Sequence, residues 1–246
     1  MNKYIKKGFF VIAVLSMMLM TVFAEGADSA EKNVTVYGYD YRYWSCIANN
    51  VSGRVFAQTT VCLDDNIDSV PIGYLGGQAR LYSSSGVLKK SSEWEYNEYS
   101  QYATVVPRFN YSTSSGYYYS KGQARFYTGD GYATYACTAT PNYAPTRSID
   151  SFSSMTIQRN ENGEIYGSEI FLDEIGVQPD LILAEGTNGE IGYVRAEDLN
   201  DSDVLTPAQA MSKMVNKEAD IIPLYNSDGT TVIGSFMLEP TEDIVE

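Results

Sequence analysis

Histidine is absent from this chain of 246 residues, and its absence removes most of the catalytic chemistry that side chains perform. Ser-His-Asp and Cys-His nucleophile systems, zinc peptidases with an HExxH motif and histidine-rich metal sites all need an imidazole. Carboxylate-pair chemistry remains available, because a glycosidase needs only two Asp or Glu side chains at a set separation. No pair stands out among the 31 acidic residues, so we expect no enzyme, no catalytic residue and no cofactor.

A pattern that occurs twice holds the polar residues best suited to binding. The segments GQARLYSSSG and GQARFYTGDG lie 45 positions apart, within copy one (Tyr74–Gly86) and copy two (Tyr119–Gly131) of the repeat. Alternation along a strand puts the small apolar side chains of each copy on one face and the polar ones on the other. The polar face carries six candidate binding residues: Gln78, Arg80 and Tyr82 in copy one, and Gln123, Arg125 and Tyr127 in copy two.

Two interpretations of this polar face are open. If the face meets solvent or lines a groove, its arginines and tyrosines offer guanidinium groups and aromatic rings to a glycan or an acidic partner. Alternatively, each arginine lies along a neighbouring tyrosine ring, and the repeat is one strand-and-turn unit of scaffold built twice. The same choice between a binding strip and packing applies to the tyrosines at positions 37, 39, 41 and 43, which alternate along one predicted strand.

Three cysteines and one acidic loop complete the candidate chemistry. Cys62 and Cys137 both lie in predicted strands, so a disulfide between them is our first expectation. A disulfide between Cys46 and Cys62, or three free thiols, are the alternatives. The loop over residues 64–68 begins like a calcium loop, but Ser69 stands where the pattern requires glycine. We therefore predict no metal site.

The elements that must position these residues define a mainly β fold. Short tyrosine-rich and valine-rich runs between small polar turns predict an N-terminal antiparallel β-sandwich or barrel over residues 33–145. After a proline-containing linker, residues 155–238 predict a small acidic α+β domain with glycine-ended turns. Its one helix begins with Thr206 as the cap, Pro207 in the first position and Gln209 completing a capping box.

Charge and tyrosine content separate the same two parts of the chain. Residues 25–149 carry 11 acidic and 10 basic side chains, whereas residues 150–246 carry 20 acidic and 4 basic ones. Of the 21 tyrosines, 17 lie between Tyr37 and Tyr143. The net charge from residue 25 onward is −17, which repels phosphate, so we expect no nucleic-acid partner.

The first 24 residues have the pattern of a secretory signal peptide. Lys3, Lys6 and Lys7 precede an apolar run over residues 8–20, and Ala24 provides a small residue for cleavage there or slightly later. The apolar run is shorter than the roughly 20 residues that span a bilayer, and no second apolar segment follows it. We therefore expect a secreted, extracellular protein with no stable membrane span after cleavage.

Two stretches resemble known exported proteins. The run PDLILAEGTNGEIGYVRAEDL, with NENGEIYGS before it and IPLYNSDGTTVIGSF after it, resembles a small extracytoplasmic module of secreted Firmicutes proteins. The same module is appended to membrane-anchored peptidase-like receptors, and it has no assigned catalytic or ligand-binding residues. The stretch YYYSKGQARFYTGDGYATYACTATPNY is similar in style to β-rich clostridial secreted proteins. The resemblance implies export from a Gram-positive cell without implying an activity.

Together these patterns predict a non-enzymatic binding or interaction protein at the surface or exterior of a Gram-positive cell. The expected partner is a cell-wall glycan or another surface protein. Two alternatives stay open, a secreted toxin or bacteriocin-like factor and a carboxylate-based glycan hydrolase.

Overall fold

The protein is built mainly from β-strands, as the sequence predicts. The described strands form three sheets. The computed structural model describes residues 26–49, 54–64, 67–113, 116–142, 158–171, 176–215 and 220–241. The predicted signal peptide over residues 1–24 lies outside the described residues, as does most of the predicted linker.

Sheet 1 contains six antiparallel strands from the N-terminal part of the chain. They are β1 (Gly26–Asp28), β2 (Lys32–Val36), β3 (Tyr39–Asn49), β4 (Arg54–Leu63), β9 (Thr104–Val105) and β10 (Arg108–Ser112). The long strands β3 and β4 form the centre, with β1 and β2 on one edge and β9 and β10 on the other. Sheet 1 therefore has the antiparallel pairing that the short alternating runs predict.

The tyrosine ladder of sheet 1 is divided between the core and the surface. Tyr41 and Tyr43 are buried in β3, where Tyr41 stacks on Phe126 with ring centroids 4.2 Å apart. Tyr37 is not part of this strand, because it lies in the turn between β2 and β3. The prediction of one strand carrying all four tyrosines is thus wrong for Tyr37, and the packing interpretation holds for Tyr41 and Tyr43.

Sheet 2 contains four antiparallel strands in the order β13-β12-β5-β8. They are β5 (Leu75–Gln78), β8 (Glu95–Tyr96), β12 (Gln123–Tyr127) and β13 (Tyr132–Ala136). The apolar side chains of this sheet, among them Leu75, Ala124 and Phe126, pack against sheet 1 in one buried cluster with Tyr41 and Tyr43. Sheets 1 and 2 therefore share a core.

Sheet 3 contains nine strands and combines both parts of the chain. They are β6 (Arg80–Ser83), β7 (Leu88–Ser92), β11 (Tyr118–Ser120), β14 (Gln158–Arg159), β15 (Ile165–Gly167), β16 (Leu181–Glu185), β17 (Ile191–Arg195), β18 (Ile221–Tyr225) and β19 (Val232–Glu239). Strand β7 pairs with β19 and also with β16, which closes a ring of five strands in the order β7-β19-β18-β17-β16. One apolar cluster that includes Leu88, Ile182 and Phe236 joins the two parts of the chain within this sheet.

The predicted division into separate domains at residues 33–145 and 155–238 needs correction. Strand β7 belongs to the first range, yet it completes the ring formed by strands of the second. The change in composition explains part of this pairing, because Lys89 and Lys90 of β7 form ion pairs with Glu185 and Glu239 of the acidic part. The composition boundary marks a change in charge, and it does not separate two cores.

Three short helical segments accompany the sheets among the described residues: a 3₁₀ helix (Glu169–Phe171), α1 (Ala196–Leu199) and α2 (Pro207–Val215). The predicted capping box is present, since the Gln209 amide donates to Thr206 Oγ1 at 3.3 Å and the Thr206 amide donates to Gln209 Oε1 at 2.9 Å. Helix α2 packs its half-buried Met211 and Met214 against Trp94 and Tyr96 of the N-terminal part of the chain.

Candidate functional site

The two copies of the repeat pair with each other and form one antiparallel ribbon. Gln78 in β5 lies opposite Gln123 in β12, and Tyr82 in β6 lies opposite Tyr119 in β11. Only Ala79 separates β5 from β6, so the ribbon continues from sheet 2 into sheet 3. The predicted hairpins are present as well, since β6 pairs with β7 and β12 pairs with β13.

The copy-one end of the polar face is buried beneath the acidic part of the chain. Arg80 Nη1 donates to Glu169 Oε1 and Oε2 at 3.0 and 2.9 Å, and both side chains are completely inaccessible to solvent. The Tyr82 hydroxyl and Gln123 Nε2 donate to the same carboxylate, the latter at 2.8 Å. Glu169 thus occupies the position in which we expected an external acidic partner, and its charge is compensated within the chain.

Backbone and amide oxygens at the end of α1 complete this buried contact. Gln78 Nε2 donates to the carbonyl oxygen of Leu199 at 3.0 Å, and Arg80 Nη2 donates to Asn200 Oδ1 at 2.7 Å. Arg80 Nε donates to Gln78 Oε1 at 2.8 Å, so the two repeat residues also fix each other. These hydrogen bonds bind the ribbon to residues about 120 positions away.

The copy-two end of the polar face is buried among aromatic rings. The Arg125 guanidinium carbon lies 4.7 Å from the Trp94 ring centroid and 4.8 Å from that of Tyr132, within the range of cation–π attraction. Arg125 Nη1 donates to the Tyr96 hydroxyl at 2.8 Å. Gly76 makes room for this arrangement, because a Cβ at that position would lie 2.7 Å from Tyr96 Cδ1.

The expected solvent-facing or groove-lining position is wrong for five of the six candidate residues. Only Tyr127 remains half-buried, whereas the other five are buried: Gln78, Arg80, Tyr82, Gln123 and Arg125. The reason is that both faces of the ribbon are covered, the apolar face by sheet 1 and the polar face by Glu169 and its neighbours. The alternation of small and polar residues assigns side chains to the two faces of the ribbon, but it does not predict which face is exposed to solvent.

The predicted disulfide between Cys62 and Cys137 is not formed, because Cys46, Cys62 and Cys137 are all present as thiols. Cys137 is fully buried, and its burial raises the pKa of the thiol to about 12. Burial, and to a smaller extent the neighbouring Asp28, raises the pKa of the Cys46 thiol to about 12. Both thiols are therefore poor nucleophiles at neutral pH, since only the thiolate reacts.

Five tyrosines at one end of sheet 2 form a patch that we call the tyrosine surface. They are Tyr37, Tyr39, Tyr74, Tyr127 and Tyr132, and all of them are at least partly accessible. Neighbouring ring centroids are 6.3 Å apart for Tyr37 and Tyr74, 4.9 Å for Tyr74 and Tyr127, and 5.6 Å for Tyr127 and Tyr132. Strand pairing, rather than sequence spacing, brings these rings together.

Backbone conformation fixes the outermost ring of the tyrosine surface. Tyr37 and Gly38 form the β2–β3 turn with φ values of 51° and 84°, and a bulky residue seldom adopts the left-handed region. The Tyr37 ring, 58% exposed, lies against Gly129, where an added Cβ would be 2.8 Å from Tyr37 Cε2. Positive φ at both residues is what a two-residue hairpin turn requires, so the turn accounts for the conformation that places the Tyr37 ring outward.

The exposed flanks of the tyrosine surface include acidic and apolar side chains, whereas the one cation described beside it, Arg125, is buried against Tyr132. Asp40 follows Tyr39 directly and accepts a hydrogen bond from Thr35, and Asp130 lies in the β12–β13 turn beside Gly129. Ile72 and Leu205 remain exposed near the Tyr132 end, where the Tyr132 hydroxyl donates to the carbonyl oxygen of Gly73 at 2.5 Å. Such flanks favour a neutral ligand over a polyanion.

Comparison with protein-family models, with curated proteins and with solved structures found no match. Among the described residues, no helix has the length and apolar character needed to cross a bilayer. Over the same residues, no group of three or more Cys, Asp or Glu side chains is arranged to hold a metal ion. The class of protein defined by fold and surface is a mainly β protein with a clustered tyrosine surface.

Proposed function

We propose that this chain is an exported, non-enzymatic binding protein of a Gram-positive cell surface or exterior, and that its tyrosine surface contacts a cell-wall glycan. The export part of the proposal rests on the N-terminal sequence pattern. The binding part rests on one observation, the contiguous ring contacts of 4.9 to 6.3 Å among tyrosines that are each partly open to solvent.

Tyrosine has the chemistry that a sugar ring requires. Its ring presents a flat apolar face, its hydroxyl donates and accepts hydrogen bonds, and only two side-chain torsions are immobilised on binding. A pyranose presents the complementary set, with C–H groups on its faces and hydroxyls around its rim. The carboxylates of Asp40 and Asp130 beside the surface disfavour a polyphosphate, so a neutral glycan is the best-supported ligand class.

Hydrolysis of the glycan is less well supported than binding. Lys213 Nζ lies 2.6 Å from Asp201 Oδ1 and 3.1 Å from Asp220 Oδ2, so an ammonium group stands between these two carboxylates. A carboxylate hydrolase needs that intervening space for the glycosidic bond and an attacking water. The same geometry fits a site that binds a positively charged group.

The test compares glycan-array binding and cell-wall pulldown of the mature protein with those of a Tyr37→Ala/Tyr127→Ala double variant. Each aromatic contact contributes about 0.5–1.5 kcal/mol, so removing two rings should weaken capture roughly tenfold or more. Tyr99→Ala is the matched control, because Tyr99 is 76% exposed and is not part of the tyrosine surface. The Arg80→Ala/Arg125→Ala pair is unsuitable, since both residues are buried and the variant would report on folding.

Equal capture by the wild type and the double variant would rule out the tyrosine surface as the contact. Capture that persists after the wall glycan has been digested would favour a surface protein as the partner. Release of soluble sugars from the captured glycan would favour the hydrolase alternative.

A further inference from the structure

A charged cavity of about 230 Å³ lies between helix α2, strand β8 and the start of β18, next to Tyr132 of the tyrosine surface. Six of its lining residues carry the inference: Glu93, Trp94, Tyr96, Asp201, Lys213 and Asp220. Its volume is below that of a pocket for a drug-sized ligand and suits a single side chain or small group. Two aromatic walls and a mixed set of charges distinguish it from a solvated acidic surface.

The backbone around the cavity is held by hydrogen bonds between distant strands. The Glu93 amide donates to the carbonyl oxygen of Glu239 at 2.9 Å, and the Leu238 amide donates to that of Asp220 at 2.8 Å. The Asp220 amide in turn donates to Glu93 Oε1 at 3.4 Å. Since β7, β18 and β19 all belong to the closed ring, the carboxylates of Glu93 and Asp220 are presented by a rigid frame.

Asp201 and Lys213 supply the inner charges of the cavity. Asp201 is 7% exposed, and its φ of 46° is a left-handed conformation that Asp tolerates better than most residues. Lys213 Nζ contacts both Asp201 Oδ1 (2.6 Å) and Asp220 Oδ2 (3.1 Å). Lys213 therefore supplies one ammonium group to two of the carboxylates that line this cavity.

The cavity has more negative than positive charge. Three carboxylates, from Glu93, Asp201 and Asp220, face the ammonium of Lys213 within the lining, and the Arg125 guanidinium contacts the Trp94 and Tyr96 walls. Burial is the largest cause that raises the pKa of both Glu93 and Asp201, and the contacts with Lys213 oppose that effect only in part. A further cation would lower the electrostatic cost of keeping these carboxylates ionised.

We propose that this cavity binds the alkylammonium group of a ligand, with Glu93 and Asp220 as the acceptors at its mouth and Trp94 and Tyr96 as its aromatic walls. Lys213 is the internal competitor for the same carboxylates. The site adjoins the Tyr132 end of the tyrosine surface, where the Tyr96 and Tyr132 ring centroids are 5.5 Å apart, but its carboxylate acceptors are not part of that surface, so the proposal stands whether or not the surface binds a glycan. Amino groups of this kind occur both on diamino-acid side chains and on amino sugars, and the probes below separate those sources.

Binding is measured by the fluorescence of Trp94 in a Trp44→Phe background, because the chain contains only two tryptophans. The probes are Nα-acetyl-lysine amide and glucosamine, with Nα-acetyl-norleucine amide and N-acetylglucosamine as their uncharged counterparts. A saturable change with either amine supports the proposal and identifies the source. A response to the uncharged counterparts alone, or to none of the four probes, overturns it.

Three variants provide the sharper test with the amine that binds. Asp220→Asn should weaken binding roughly tenfold, because it removes the charge of an acceptor whose side chain is 43% exposed. Lys213→Met should strengthen binding by a similar factor, because it removes the competing ammonium while keeping the alkyl chain. Asp203→Asn, an exposed neighbour of Asp201 outside the lining, should leave binding unchanged.

Equal affinity of the wild type and Asp220→Asn overturns the proposal even if Lys213→Met fails to fold. Equal loss in Asp220→Asn and Asp203→Asn also overturns it, since that result would indicate only a general attraction of the acidic surface for cations.

Discussion

Gln78 and Gln123, which occupy the same position in the two copies of the repeat, lie directly opposite each other in strands β5 and β12. The pairing on either side follows the same rule, so Leu75 faces Phe126 and Leu81 faces Ser120. A residue in one copy therefore faces the mirror position of the other copy, and the ribbon has local twofold symmetry about the glutamine pair. The side chains break this symmetry, because Gln78 donates to Leu199 and Gln123 donates to Glu169.

The ribbon packs closely against its surroundings at Gly122. A Cβ at Gly122 would lie 1.7 Å from Thr59 Oγ1 and 2.5 Å from the carbonyl oxygen of Gln78, and backbone cannot move aside as a flexible side chain can. We expect Gly122→Ala to lower the free energy of unfolding by about 3 kcal/mol, measured by urea denaturation. Gly131→Ala is the control, since the nearest atom to its added Cβ is Leu205 Cδ2 at 4.0 Å. Similar losses in the two variants would contradict the close packing described for Gly122.

The buried ion pair between Arg80 and Glu169 should be costly to break from one side. We expect Glu169→Gln to destabilise the protein by about 3–5 kcal/mol, because it leaves a fully buried guanidinium without its counter-charge. Replacing both partners, as Arg80→Met/Glu169→Leu, should cost less than the two single changes combined. The half-buried pair of Arg195 and Glu164 (3.0 Å) is the control, and Glu164→Gln should cost at most about 1 kcal/mol. Urea denaturation measures the five variants, namely Glu169→Gln, Glu164→Gln, the single changes Arg80→Met and Glu169→Leu, and their double variant. Additive costs of Arg80→Met and Glu169→Leu would exclude the coupling.

Local signals predicted the parts of the fold that depend on neighbouring residues. The Thr206–Gln209 capping box and the turns ending at Gly86 and Gly131 all follow from residues within a few positions of each other. The burial of Arg80 could not be predicted in this way, because its counter-charge is 89 residues away and nothing in the sequence around Glu169 distinguishes it from other acidic residues.

The tyrosine surface also depends on contacts between distant residues, which local sequence signals do not predict. Tyr37, Tyr74 and Tyr127 come from three separate segments, and only the register of the sheets brings their rings within 6.3 Å of one another. The alternation of tyrosines was visible in the sequence, but alternation could not show that Tyr41 and Tyr43 enter the core while Tyr37 turns outward. Composition likewise indicated two domains, because charge and tyrosine content change near residue 150. Composition carries no information about strand pairing, so it could not show that β7 pairs with β16 and β19.

The cysteines should behave as three protected thiols. Cys62 and Cys137 are buried, and the raised pKa of Cys46 and Cys137 keeps both protonated at neutral pH. We expect a thiol reagent at pH 7 to label the native protein slowly and to modify all three cysteines after unfolding in urea without a reductant. Intact-mass measurement counts the added groups. Labelling of a single cysteine in the unreduced, unfolded protein would show a disulfide and contradict the three thiols of the structure.

Asp201 should make stability depend on pH in a defined direction. Burial raises the pKa of its carboxyl in the folded protein, and the contacts with Lys213 only partly oppose that effect. A carboxyl with a raised folded pKa contributes stability that is fully present below its unfolded pKa and is lost as pH rises through the folded value. Asp201→Asn removes this titration, and Asn tolerates the left-handed backbone at φ 46°.

We therefore expect Asp201→Asn to have a higher melting temperature than the wild type at neutral pH, with the difference shrinking as pH falls below the unfolded pKa of Asp, near 4. Asp203→Asn, at an exposed position two residues later, should follow the wild type at every pH. Thermal unfolding of the three proteins between pH 3 and pH 8 measures the difference. If Asp201→Asn is instead less stable at neutral pH and gains relative to the wild type on acidification, the ion pair with Lys213 outweighs the burial of the carboxylate.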